Sequence, residues 1–282
     1  MTEEALEALT VETLLFVGVW GVLGLAGLRL FHKGRFPSLR WRTARPRQEP
    51  ALWSGWGVLG CFLLWIFLQA GALGVAESWG AGWKAGQYLA YLGAEVFTLV
   101  LVCTFVRQGT GQPLGSLGLR STPGANYLLT VLAYPLLCGP LALVVLGWSQ
   151  LLMAVFQELP PPQEAVQLFR DTLDGGDPLE IGLVVAMGLL GAPLSEEVIF
   201  RGLLFGWMRQ RFGVLAAVVG SSLAFAALHM SLFGLLPLFV LGLFLAYVYQ
   251  KTRSLYCTML FHAVFNGVSY TGMFWEHLRG SS

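Results

Sequence analysis

The sequence predicts an all-α fold, a polytopic membrane helix bundle of about eight transmembrane helices, on three observations. Hydrophobic residues make up 56% of the 282 and charged residues only 12%, well under the roughly one-quarter charged share of a soluble domain. The apolar residues collect into runs of about 20, the length that crosses roughly 30 Å of hydrocarbon. Those runs are longer and more evenly apolar than the alternating strands of an outer-membrane barrel. Backbone groups in lipid must be paired within the segment, so each run is a helix.

The runs fall near residues 12–31, 52–75, 86–106, 127–156, 181–206, 214–233, 235–250 and 255–274. The first is preceded by an acidic stretch, M-T-E-E-A-L-E, where a secretory signal needs basic residues, so it is expected to stay as an anchor. Within it Gly18, Gly21, Gly24 and Gly27 recur at helical spacing, which suits close helix packing. The seventh is short, and Gly234 to Pro237 leaves only a tight turn before it. Between the fourth and fifth runs, Val166, Phe169 and Leu173 recur at helical spacing in an otherwise polar loop. This predicts a short helix, either lying in the membrane interface or solvated.

Orientation follows from the basic residues. The loop 32–50 carries Lys33, Arg35, Arg40, Arg42, Arg45 and Arg47 and is expected to be cytoplasmic. Counting spans from there places Arg107 and Arg120, Arg209 and Arg211, and Lys251 and Arg253 on the same side. The opposite side receives the acidic N-terminus and the loop 157–180, with six acids against Arg170 alone. Both termini are therefore expected outside. The net charge of +1 points to no nucleic acid partner; the implied partner is the lipid bilayer. Cys61, Cys103, Cys138 and Cys257 stand singly in apolar stretches without C-x-x-C spacing and read as small apolar core residues.

Ionisable residues inside the runs are few: Glu95, Glu196, Glu197 and Arg201, with His229 and His262. Each full charge at mid-bilayer costs about 2.5–3.5 kcal/mol on insertion scales, so such groups face a cavity or each other and are candidate site residues. Glu197 and Arg201 stand four apart with the acid first, the orientation that pairs along one helix face; Glu196 points about 100° away. Glu197 thus reads as an electrostatic support and Glu196 as the free carboxylate. The alternative is a buried ion-pair cluster that merely orients two helices. Phe225 and His229 lie one turn apart, as do His262 and Asn266. A lone histidine on an apolar helix is often a hydrogen-bonded core residue, and a mid-membrane asparagine often joins two helices. Glu95 reads first as a hydrogen-bonded structural group, with a cavity-lining or substrate-orienting role behind it.

Together, one carboxylate, two imidazoles and one amide from three spans are what activation of a water molecule needs. A carboxylate takes the proton, imidazoles orient the water or hold a metal, and an amide N–H stabilises an oxyanion. There is no H-E-x-x-H and no G-x-S-x-G.

The segments E-E-V-I-F-R (196–201), F-A-A-L-H (225–229) and H-A-V-F-N (262–266) resemble, in order and spacing, the EExxxR, FxxxH and HxxxN motifs of the CPBP family. That family comprises CAAX-processing type 2 proteases and bacteriocin-processing enzymes, also called the ABI family. The resemblance divides the chain into N-terminal membrane helices (1–180), packed on the same bundle, a catalytic core (181–275) and a short tail (276–282). It implies an intramembrane endopeptidase, of glutamate or metallo type, that cuts near the C-terminus of a membrane-associated or lipidated substrate. It further implies Glu196 as the water-activating base, Glu197 and Arg201 as its support, His229 and His262 as holders of water or metal, and Asn266 as oxyanion donor. His229 and His262 with Glu196 permit a divalent metal such as zinc and do not require one. The peptide or protein substrate would be prenylated in the eukaryotic branch, and the family's distribution implies a bacterial inner membrane. Two other readings use the same residues: a transporter with a proton or solute path, and a non-catalytic immunity or scaffold protein. The expected depths disagree, at about 15 Å for Glu196 and Asn266, about 10 Å for His262 and about 22 Å for His229, so either the run boundaries lie several residues off or the helices are tilted and offset.

Overall fold

The computed structural model describes residues 53–78 and 84–280. The run 12–31 with its four glycines, and the basic loop 32–50, lie outside the described residues. Among those described there is no strand. Ten α-helices follow in order: α1 Gly55–Ser78, α2 Lys84–Thr104, α3 Gly124–Leu132, α4 Tyr134–Phe156, α5 Glu164–Gly175, α6 Pro178–Ala186, α7 Ala192–Glu197, α8 Phe205–Leu228, α9 Leu232–Thr252 and α10 Leu255–Gly280. Among the described residues, five stretches are long and apolar enough to cross a membrane: Gly55–Ala72, Lys84–Gly109, Gly124–Phe156, Pro178–Leu228 and Leu232–Thr252.

Seven of the eight expected runs fall within the described residues, and five stretches answer to them for identifiable reasons. The run 181–206 and most of 214–233 fall in the single apolar stretch Pro178–Leu228. Gly213 breaks it with φ 85° and ψ 176°, a conformation open essentially only to glycine. α10 is 26 residues long but is not among the five, because Thr258, His262, Asn266, Ser269 and Thr271 dilute its apolarity. It runs on to Gly280, so residues 276–280 continue the helix. The seventh helix also begins earlier than the glycine–proline pair implied. The turn lies at His229–Ser231, with Met230 at φ 49°, and Ser231 Oγ caps the new helix by accepting from Gly234 N at 3.1 Å.

Two π-helical turns, Met187–Gly191 and Val198–Leu204, flank α7 and join α6 to α8. Such turns widen the helix locally and re-aim its side chains. Asp177 starts this stretch by accepting from Leu179 N and Glu180 N, while Pro178 sits in the first turn, where its missing N–H costs nothing.

The bundle packs α1 along α2, α8 along α9, and α10 against α3, α5, α7 and α9. Gly242 lets α9 close on α8: a Cβ there would lie 3.0 Å from Ser222 Cα. One apolar core joins Trp53 and Trp65 on the N-terminal side to Phe200, Phe225, Leu241 and Phe261 on the C-terminal side, so the N-terminal helices share the core rather than form a separate unit. Outward-facing Phe67, Leu63, Val155 and Leu215 leave a belt of apolar surface.

The two ends differ in character. At one, the turns around residues 118 and 253 are tied together by Tyr249 Oη to Leu117 O (2.9 Å), Arg120 Nε to Arg253 O (2.9 Å) and Leu255 N to Gly118 O (2.8 Å). At the other, the short helix expected in the loop is α5, and it docks on the bundle. Phe169 and Leu173 are buried. Phe169 stacks on Tyr270 at 4.1 Å, Thr172 and Tyr88 hydroxyls meet at 2.9 Å, and Arg170 pairs with Glu276 at 3.2 Å.

Candidate active site

α7 ends in Glu196 and Glu197, and both are buried. Glu197 has two partners. Its Oε1 lies 3.1 Å from Arg201 Nη1 and 3.2 Å from His262 Nδ1. Arg201, fully buried, also directs Nη2 at Gly242 O (3.4 Å) and lays its guanidinium over the Phe225 ring at 4.4 Å. The acid-then-base spacing of four therefore pairs Glu197 with Arg201, and the π-turn carries the arginine into the core between α8 and α9.

Glu196 is arranged differently. Its Oε2 is buried with no hydrogen-bond partner. It lies 3.9 Å from His229 Nε2 and 4.0 Å from His262 Nε2. Each imidazole is held by its other nitrogen. His229 Nδ1 meets Phe225 O at 2.7 Å, and His262 Nδ1 meets Glu197 Oε1. Donation from Nδ1 leaves the Nε2 lone pair of each ring aimed at Glu196. Phe225 wedges the two rings, with centroids 4.6 Å from His229 and 5.8 Å from His262.

The disagreement in expected depths is resolved by the chain path. Gly213 offsets the second half of α8, and His229 sits at the very end of that helix, so three helices deliver their side chains to one point. Gaps of 3.9 and 4.0 Å suit a water about 2.8 Å from each group, the ordinary hydrogen-bond length. The chemistry of the set, two imidazole nitrogens and a carboxylate, would also serve a divalent ion. Its spacing does not fit one, because ligands at about 2.0–2.1 Å on a tetrahedral ion stand nearer 3.4 Å apart. Among the described residues no group of three His, Cys, Asp or Glu is arranged to hold a metal.

Asn266 shares the His262 face of α10 but uses its Nδ2 to donate to Gly188 O at 2.7 Å, in the first π-turn. One of its two amide hydrogens is thereby committed to holding α10 against that turn. Glu95, on α2, faces Ser195, Gln69 and Trp65 and is close enough to Glu196 for their charges to interact. The carbonyls of Gly188 and Gly242 were not foreseen from sequence. Their only signal was glycine inside an apolar helix, which marks close approach of another chain segment.

Residues 178–268 match the family model of the Rce1-like type II CAAX prenyl endopeptidases. The segment runs from the start of α6 to just past Asn266 and contains all six of Glu196, Glu197, Arg201, His229, His262 and Asn266. A curated relative of the chain is the "Putative membrane peptidase YdiL" of Bacillus subtilis (strain 168), 27% identical over 86 residues. That stretch covers 30% of this chain and 35% of the relative, so the chain spans about a third of the length of the protein it matches. No solved structure matches. The Rce1-like region thus coincides with the helices that deliver the buried acids and imidazoles, and α1 and α2 lie outside it.

Proposed function

We propose that the chain is an intramembrane endopeptidase that uses Glu196 to activate water against a peptide bond near the C-terminus of a membrane-associated or lipidated substrate. One observation carries the reading: Glu196 Oε2, buried and without a hydrogen-bond partner, faces the Nε2 atoms of two histidines from two other helices at 3.9 and 4.0 Å. Water held there donates one proton to Glu196 and the other to an imidazole Nε2, leaving a lone pair for attack. As the O–C bond forms, Glu196 takes the proton and later passes it to the departing amine. His262 is held in register by Glu197, whose charge is offset by Arg201. The amide hydrogen of Asn266 not used by Gly188 is the oxyanion donor. No step in this scheme passes through a metal.

The protein is an integral membrane protein; the orientation proposed puts the basic turns in the cytoplasm and α5 outside, in a bacterial inner membrane. The test reconstitutes purified protein in lipid and offers a farnesylated peptide ending in cysteine and three further residues, beside its unprenylated twin, with products read by mass spectrometry. Release of the tripeptide from the farnesylated form is expected. Glu196→Gln is expected to lower that rate at least about 100-fold while leaving the thermal unfolding midpoint unchanged. Equal rates for wild type and variant would sink the base assignment. Cleavage of neither peptide, with solute flux in the same vesicles, would favour a transporter.

A further inference from the structure

Glu95 stands in the middle of a membrane-crossing stretch and outside the three motifs, and its surroundings set it apart from a structural carboxylate. It packs against Gly191 in the first π-turn: a Cβ at that position would stand in ordinary contact with Glu95 Cγ, at 3.6 Å, and more tightly against Leu92 Cδ2, at 3.2 Å. Ser195, Gln69 and Trp65 stand around the carboxyl group, yet Oε2 is buried and reaches none of them in hydrogen-bond geometry. Trp65 Nε1 and Thr98 Oγ1 are likewise buried without partners. Trp65 and Thr98 line a cavity of about 400 Å³ between α1 and α2, a volume within the range of ligand sites. Glu95 is therefore an acceptor with capacity left over, beside Trp65 and one helical turn from Thr98, both of which reach the cavity wall. Its neighbour Ser195 directly precedes Glu196.

A peptide drawn out into a membrane cavity brings main-chain N–H and C=O groups that no water satisfies, and each needs a partner from the protein. We propose that Glu95 is a substrate-positioning residue: its unpartnered oxygen accepts a main-chain N–H of the bound peptide next to the bond to be cut. This rests on the protease reading, and it places a determinant of substrate binding on α2, outside the Rce1-like segment. The ligand recognised is an extended peptide backbone, so side-chain sequence matters little to this contact.

The experiment uses the full chain in lipid nanodiscs and farnesylated peptides ending in cysteine and three further residues, with the amide nitrogens after the cysteine methylated one at a time. For wild type, one methylation is expected to cost about tenfold in kcat/KM, mostly through KM, as loss of a hydrogen bond to a charged group does. The same methylation should cost Glu95→Leu less than about twofold, because the acceptor is already gone. Glu95→Gln, which keeps an oxygen, should restore an intermediate penalty. Equal penalties in wild type and Glu95→Leu at every position would overturn the inference. So would a loss in kcat at unchanged KM. Should Glu95→Leu fail to fold, the comparison stands on Glu95→Gln, where a penalty equal to wild type is the overturning result. If wild type cleaves none of the peptides, the protease reading fails, and the positioning inference is decided by their binding to Glu196→Gln with and without Glu95→Leu. A methylation that weakens binding about tenfold only while Glu95 is present supports it; no such dependence, or no binding at all, overturns it.

Discussion

Glu196 and Glu197 are adjacent in the chain and opposite in circumstance, and the difference is a matter of partners. Glu197 sits between a guanidinium and an imidazole, so its charge is spoken for. Arg201 in turn has no route to water, which makes the pair an all-or-none device. Removing one partner of a buried pair leaves an uncompensated charge, at a cost of about 3–5 kcal/mol, whereas removing both with apolar residues is often neutral. Arg201→Met is therefore expected to lower the unfolding midpoint in detergent severely, and Glu197→Leu/Arg201→Met together to recover most of the loss. A double variant no more stable than the single would show that the arginine acts through its packing on Phe225 instead. Glu196 Oε2, by contrast, makes no hydrogen bond within the chain, which is why its replacement by glutamine is expected to spare the fold. Because the gaps around Glu196 suit water and exceed the spacing of metal ligands, treatment with 1,10-phenanthroline should leave the cleavage rate unchanged. A loss restored by added zinc would show that the three side chains close inward around an ion.

At the scale of elements, the bent stretch Pro178–Leu228 does most of the positioning. Its two π-turns hold α7 where both acids face inward, and the first of them also accepts from Asn266 and packs against Glu95. Its break at Gly213 sets the rest of α8 on the path that ends at His229. Any side chain at φ 85° and ψ 176° is strained, by about 1–3 kcal/mol. Gly213→Ala should therefore destabilise the protein by that amount and lower cleavage as His229 moves off Glu196. An unchanged rate would mean that His229 is placed by its contacts with Phe225 alone. The docking of α5 shows the same economy on the other end: Phe169 and Leu173 bury against the ends of α2, α6 and α10, leaving the charged face outward.

The molecule as a whole separates an apolar belt from two polar ends of unlike charge. Arg120, Lys251 and Arg253 gather with the turns at one end, and Asp171, Asp174 and Asp177 with α5 at the other. The positive-inside tendency then predicts their sides. In a background with Cys61, Cys103, Cys138 and Cys257 replaced by alanine, Asp171→Cys should react with an impermeant maleimide in intact cells. Lys251→Cys should react only after permeabilisation. Both positions are exposed, so the reverse pattern would mean the opposite orientation rather than burial.

What the sequence determined by itself were the features that depend on neighbours a few residues apart. Helical character in lipid follows from length and apolarity, the Glu197–Arg201 pair from a spacing of four, and the Phe225–His229 contact from the same period. Helix geometry is local, and local geometry is readable from spacing. Only the tertiary structure decided where separate helices meet. It brought His229 and His262 to within 4.0 Å of Glu196 although counted depths placed them at different levels. It tied Asn266 to Gly188, set Glu95 beside the acid it precedes by 101 positions, and docked α5 as a cap. Those outcomes turn on a glycine break, two π-turns and close helix crossings, each shifting a long lever by a few ångströms, and no periodicity in the chain records such shifts.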